Sequence, residues 1–248
     1  MDLGSLGIVG FGRFGQLAAK HLRLRLDVMV YDLRDLRKRA ASAGVAWGTL
    51  DETASRDFVL LAVPISDLPA CLDAVAPSLR PGALLMDCCS VKVLPVRWML
   101  ERAPAGVEII GLHPLFGPVS GSGGVAGLPI VVCPARTGRS EVLRYFLEAA
   151  GLVVEETSPE EHDRTMAQTL VVAHFIGRGL MRSGLPETPL HTPSFDRLER
   201  MVEMVRDDSN QMFEDMNRYN PFAGEARRRV LEALLHIHRE LETLPPGS

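Results

Sequence analysis

Gly10, Gly12 and Gly15 stand in the run Gly10-Phe11-Gly12-Arg13-Phe14-Gly15, directly after the apolar stretch Leu6–Val9 and directly before a helical pattern. In that setting each glycine has a separate task. Gly10 permits a tight turn, Gly12 lets a ligand approach the backbone, and Gly15 lets a helix pack closely on a strand. The chemistry on offer is anion binding, because the free N–H groups of the first helical turn and the helix dipole attract phosphate. Asp32 ends the next apolar run, 22 residues after Gly10. A carboxylate at that place accepts hydrogen bonds from an adenosine ribose and repels a 2′-phosphate, which selects NAD; Arg34 and Arg37 keep NADP open as the alternative. Phe11, Arg13 and Phe14 complete the loop. Val63 and Pro64 close the buried run Leu60-Leu61-Ala62-Val63-Pro64 and are expected beside the nicotinamide half of the cofactor; a plain core strand stopped by Pro64 is the competing reading.

The elements that must hold these residues follow from periodicity. Apolar runs at Leu6–Val9, Asp27–Tyr31, Phe58–Val63, Ala83–Asp87, Val107–Leu112, Pro129–Cys133 and Leu152–Glu155 read as strands. Helical patterns at Phe14–Leu24, Leu33–Ala43, Ser66–Leu79, Leu94–Ala103 and Ser140–Ala150 separate them. Strands apolar on both faces, alternating with helices, predict an α/β fold: a Rossmann-type, doubly wound, mostly parallel sheet over residues 1–156. The pattern then changes. Ser158, Pro159 and Glu161 make a capping signal for a helix running to about Arg182, and helices are expected at Phe195–Met216 and Phe222–Leu244. Residues 157–248 are therefore read as a smaller all-helical domain. Three helices make a thin core, so pairing with a second copy, as a homodimer, is the expected way to bury their apolar faces.

Two further strand ends carry polar groups: Asp87-Cys88-Cys89-Ser90-Val91-Lys92 and Gly111-Leu112-His113-Pro114-Leu115-Phe116-Gly117-Pro118. Together with Glu161-His162-Asp163 and Met166, they resemble the prephenate dehydrogenase family, and the likeness runs from residue 6 to about 183. The resemblance implies oxidative decarboxylation of a ring dicarboxylate with NAD: prephenate, or alternatively arogenate or 4-amino-4-deoxyprephenate. It makes His113 the catalytic base that takes the ring hydroxyl proton as hydride leaves, and Ser90 the serine that hydrogen-bonds that histidine and the hydroxyl. It makes the helical half a dimerisation domain that closes over substrate. His174, twelve residues after His162, is expected to touch substrate or cofactor, with a core-edge histidine as the rival reading. The family's carboxylate-holding arginine maps to Arg200 by its spacing from Phe195, or to Arg206 when measured from Gln211-Met212-Phe213. Arg178, Arg182 and Arg197 are read as solvated helix-face charges. The chemistry accounts for these residue types independently. A neutral imidazole takes a proton at physiological pH, and paired carboxylates call for guanidinium groups. Leu170 and Val171 stand where family members carry a polar pair, which leaves a non-catalytic nucleotide-binding protein as the competing class.

Composition narrows the rest. A net charge of −4 gives no basic face for a nucleic acid. No run of about 20 apolar residues exists to cross a bilayer, and no basic-then-apolar leader opens the chain, so a cytoplasmic protein is expected. The four cysteines show no zinc-ligand spacing, and His191, His236 and His238 complete no metal cluster, so no metal is expected.

Overall fold

The apolar runs Leu6-Gly7-Ile8-Val9 and Leu84-Leu85-Met86 are buried on both faces, the pattern of strands sandwiched between helix layers. In the computed structural model, which describes residues 4–186, 188–206 and 208–245, eight strands form one sheet. They are β1 (Ser5–Val9), β2 (Asp27–Tyr31), β3 (Ala46–Trp47), β4 (Phe58–Leu61), β5 (Leu84–Asp87), β6 (Glu108–Pro114), β7 (Pro129–Arg136) and β8 (Val153–Glu156). Their order is β3-β2-β1-β4-β5-β6-β7-β8; every pairing is parallel except β6 with β7. The chain leaves β1 towards β2 on one side and returns to β4 on the other. The crevice for a ligand in such a sheet lies at that reversal, outside the carboxyl ends of the strands.

Helices α1 (Arg13–Leu22), α2 (Arg37–Ala43), α3 (Leu50–Ala54), α4 (Leu68–Val75), α5 (Val93–Arg102) and α6 (Ser140–Ala149) flank the sheet. One core joins Leu6, Ile8, Leu60, Leu84, Met86, Ile110 and Leu112 of the strands to Ala19 of α1 and Leu143 and Leu147 of α6. The fully buried Leu and Ile side chains among them contribute about 1.5–3 kcal/mol each. Two elements, β3 and α3, carry no clear period because they span only two and five residues. Their order comes from context. Thr49 and Glu52 close a capping box on α3. Gly7 lets α3 lie directly on β1, since a Cβ there would stand 1.8 Å from the Thr53 carbonyl oxygen.

The rest is helical: α7 (Pro159–Met166), a π-helical segment Ala167–Val171, α8 (Val172–Ser183), α9 (Pro193–Arg206), α10 (Asn210–Tyr219) and α11 (Ala223–Glu242). Ser158 caps α7 by accepting the Glu161 amide at 3.2 Å, as the local signal requires. The single helix expected over Phe195–Met216 is two. Ser209 takes an extended conformation and accepts the Met212 amide at 3.0 Å, so a new helix starts there. Contacts divide the chain into compact units of residues 1–162 and 163–248, a division inside α7 rather than ahead of it. Val171, Met216 and Ala223, with Leu170 and Met212 against them, form the core of the second unit. Leu170 and Val171 are apolar because they fill that core. Among the described residues no helix is long and apolar enough to cross a membrane.

Candidate active site

The glycine loop has the geometry its spacing predicts. Gly10 takes φ +98°, and a Cβ there would meet the Ala62 carbonyl oxygen at 2.4 Å and Val63 Cγ1 at 3.1 Å, so Val63 backs the turn. Gly15 brings α1 against that turn; its Cβ would stand 2.1 Å from the Gly10 carbonyl oxygen. Around Gly12 nothing lies within 4 Å of a Cβ position. The α1 N-terminus has no side-chain cap and no acidic residue in its first turn. The Phe11 side chain is core, whereas its N–H donates to Asp32 Oδ2 at 2.8 Å and ties the loop to the end of β2. Asp32 also accepts from the Arg34 amide at 3.0 Å and from the Arg34 guanidinium. Burial pushes its carboxyl up, but the bonds from Arg34 and Phe11 outweigh this and hold it below the ordinary Asp range. An open groove of about 660 Å³ beside it is lined by Tyr31, Asp32, Arg34, Arg37 and Trp47. Arg13 is exposed and Phe14 half-buried on α1; Pro64 is exposed and starts a 3₁₀ turn after β4.

His113 lies at the carboxyl end of β6, on the same sheet edge as the glycine loop, and is only 6% exposed. Its Nδ1 is 2.8 Å from His162 Nε2 on α7, with the rings edge to face. Burial, then the His162 ring, then the Lys92 charge all push the His113 pKa well below that of an ordinary histidine. The imidazole is therefore neutral at physiological pH. The resemblance implied Ser90 as its hydrogen-bond partner, but the ring partner is His162; Ser90 is half-buried on the turn after β5 and makes no hydrogen bond to His113. The reason is topological, since α7 starts straight after β8 and sets His162 on the ring. Next to it in the chain, the Leu112 carbonyl meets a buried ion pair between Asp87, ending β5, and Lys92, preceding α5. Neither His162 nor this pair stands out by residue type alone. The available signal was a lysine and an aspartate bracketing an otherwise apolar turn. Burial pushes the Cys88 thiol up to about 12, and Asp87 adds to this, so it is no nucleophile.

In the helical unit, His174 is buried on α8 with Nε2 3.5 Å from Asp208 Oδ2. Burial lowers its pKa; Asp208 opposes this and Arg178 adds to it. Arg178 is not the solvated charge its helix position suggested: it is 6% exposed. It donates to Asn210 Oδ1 and to the Asp208 and Ser209 carbonyl oxygens, stacks 4.8 Å over Phe213, and lines a groove of about 610 Å³ with Arg182, Arg218 and Arg227. Arg200 and Arg206 lie on the exposed face of α9, opposite the buried Val202 and Val205. His191, expected to be without metal-type neighbours, has Asp196 and Glu199 around it, with ligand atoms within 4.8 Å of one another. The Asp196 bond chiefly draws its pKa up, which marks an ion-paired histidine at the start of α9.

Residues 18–154, just past the glycine loop, match the model of the prephenate dehydrogenase nucleotide-binding domain, and residues 180–244 match that of the TYRAAT1-like C-terminal domain. Arogenate dehydrogenase 2, chloroplastic, of Arabidopsis thaliana is 32% identical over 95% of this chain, which spans 69% of that protein. Arogenate dehydrogenase 1, chloroplastic, of the same plant is 31% identical over the same share, but the chain spans only 39% of its length. The fold is that of the crystal structure of prephenate dehydrogenase from A. aeolicus in complex with hydroxyphenyl propionate and NAD+, with a TM-score of 0.78 at 22% identity over 98% of this chain and 93% of that one. By its nucleotide-binding half and its likeness to these relatives, the chain belongs to the prephenate dehydrogenase family.

Proposed function

We propose that the chain oxidises and decarboxylates a ring dicarboxylate of the prephenate type, with NAD as the hydride acceptor and His113 as the base. The observation that carries this reading is a buried, neutral imidazole on the carboxyl edge of the sheet that also bears the glycine loop. The loop residues fit a dinucleotide: space is open at Gly12, the α1 N-terminus is uncapped, and Asp32 stands beside a groove at the end of β2. When bound, NAD supplies the acceptor for the hydride of the carbinol carbon.

The residues of this chain then have three tasks. In the tautomer whose Nδ1–H donates to His162, His113 keeps its Nε2 lone pair for the substrate hydroxyl proton. Ser90, on the turn after β5, is a second donor to that hydroxyl. Two carboxylates call for guanidinium groups, since a guanidinium matches a carboxylate in a bidentate pair; by the family resemblance Arg200 or Arg206 is the candidate, and His174 a candidate substrate or cofactor contact. Loss of the ring carboxylate as CO2 makes the ring aromatic, so that step needs no further acid or base.

The Arabidopsis relatives favour arogenate as the ring acid; the same side chains serve prephenate, and in 4-amino-4-deoxyprephenate the proton taken is that of the ring amine instead of a hydroxyl. A homodimer through the helical unit is part of the proposal. It is supported by the stripe of exposed Leu231, Leu234, Leu235, Leu241 and Leu244 on and just beyond α11. The test is NADH formation with each of the three ring acids. The order of kcat/KM identifies the substrate, and no turnover of any of them refutes the proposal.

A further inference from the structure

We infer that Lys92, anchored by Asp87, is a positioning residue for His113: it grips the peptide bond on which the histidine is mounted and keeps a positive charge near the ring. The inference deepens the reading of His113 as the base and rests on it. Lys92 and Asp87 side chains are both 0% exposed. The Lys92 ammonium donates to Asp87 Oδ2 and, at 2.6 Å, to the Leu112 carbonyl oxygen, which belongs to the peptide bond joining Leu112 to His113. Asp87 is tied in turn by the Cys89 amide at 2.9 Å. Gly111 makes the room: a Cβ there would stand 3.0 Å from Lys92 Cδ and 3.4 Å from Asp87 Oδ1. Gly111 two residues before the histidine, the aspartate ending β5 and the lysine preceding α5 are thus one packed unit.

A buried ion pair is a poor source of stability, because desolvation offsets most of its Coulomb attraction. Here its geometry serves the strand end that carries the base. The groups facing this centre are His162 from α7 at the ring, Asp87 and Cys89 from the end of β5, and Cys133 from β7 beside Lys92. Burial disfavours the Lys92 ammonium, but Asp87 and Cys89 outweigh this and raise its pKa, so the charge persists throughout the working range. Burial holds the Cys89 thiol protonated. A persistent cation at this position disfavours the imidazolium, so His113 returns to its neutral form once it has passed its proton on.

Lys92→Met alone would strand a buried carboxylate, so the test uses Asp87→Asn/Lys92→Met in the full chain, with Asp87→Leu/Lys92→Met as a second charge-free pair should the first not fold. The His113 imidazole is titrated by NMR, and the pH profile of kcat/KM is recorded beside it. Both the imidazole midpoint and the acid limb are expected to rise, because the Lys92 charge that holds the midpoint down is gone, while the NAD dissociation constant stays within about twofold. A folded charge-free variant whose His113 midpoint matches that of the parent overturns the inference. If the parent turns over none of the ring acids, the functional reading fails, and the NMR midpoint still decides the role of Lys92.

Discussion

Replacing Asp32 separates the role proposed for it at the cofactor from its role in the fold. Its carboxylate is only 9% exposed and accepts the Phe11 amide at 2.8 Å while facing the groove at the end of β2. Hydrogen bonds to a charged acceptor contribute about 1.5–3 kcal/mol each, so if Asp32 bonds the ribose as proposed, its loss should weaken NAD by about 10–100-fold. NADP loses less, because the repulsion of its 2′-phosphate disappears and Arg34, no longer paired with Asp32, is freed to meet it. The kcat/KM preference for NAD over NADP should therefore fall by about 10² in Asp32→Ala and in Asp32→Asn. Stability distinguishes the two variants. Alanine leaves the buried Phe11 amide without an acceptor, at about 1–3 kcal/mol, which in a chain of this size lowers Tm by about 2–10 °C. Asparagine keeps an oxygen for that amide and should lose about half as much or less. The assay is steady-state kinetics with each cofactor, with a calorimetric melt beside it. A cofactor preference unmoved in both variants would refute the assignment of Asp32 to the ribose.

Other perturbations test other parts of the argument. His113→Asn should keep NAD binding, read by fluorescence titration, and lower kcat by about 10²–10⁴; full activity would remove it as the base. Because burial and the neighbouring charge depress the folded-state pKa of His113, the unfolded chain takes up a proton that the folded chain refuses. His174 acts in the same direction. Their contribution is fully present above about pH 6.5, the unfolded value, and is lost as pH falls below it. Urea midpoints should decline from pH 7 to 5, and less steeply in His113→Leu; parallel slopes would contradict the burial argument. Arg178→Met removes a buried guanidinium that holds the loop before α10 and should cost about 2–4 kcal/mol, whereas Arg200→Ala should stay within about 0.5 kcal/mol and instead raise KM. Leu234→Glu/Leu241→Glu should shift sedimentation from dimer to monomer, and an unchanged sedimentation coefficient would exclude α11 from the interface.

Gly10, Gly12, Gly15 and Asp32 were legible in the sequence because their duties are local: a positive φ, a close approach, and a carboxylate at a strand end, all set within a few residues. The alternation of strands with helices was legible for the same reason, since two-sided burial writes a continuous apolar run into each central strand. The Ser158 cap was likewise read from its own turn. Only the tertiary structure could decide matters that depend on distant chain segments meeting. His162 is 49 residues from His113, and no spacing rule brings a nitrogen of one ring to 2.8 Å from a nitrogen of the other. The burial of Arg178 depends on where Asn210 and the Asp208 and Ser209 carbonyls arrive, and the break between α9 and α10 depends on one serine whose capping competes with a continuous helical period. The Asp87–Lys92 pair was visible as two letters, but its meaning came from the β6 strand end that folds over it. Local propensity writes turns, caps and periods into the sequence, whereas the charge state of a base is set by what the fold packs against it.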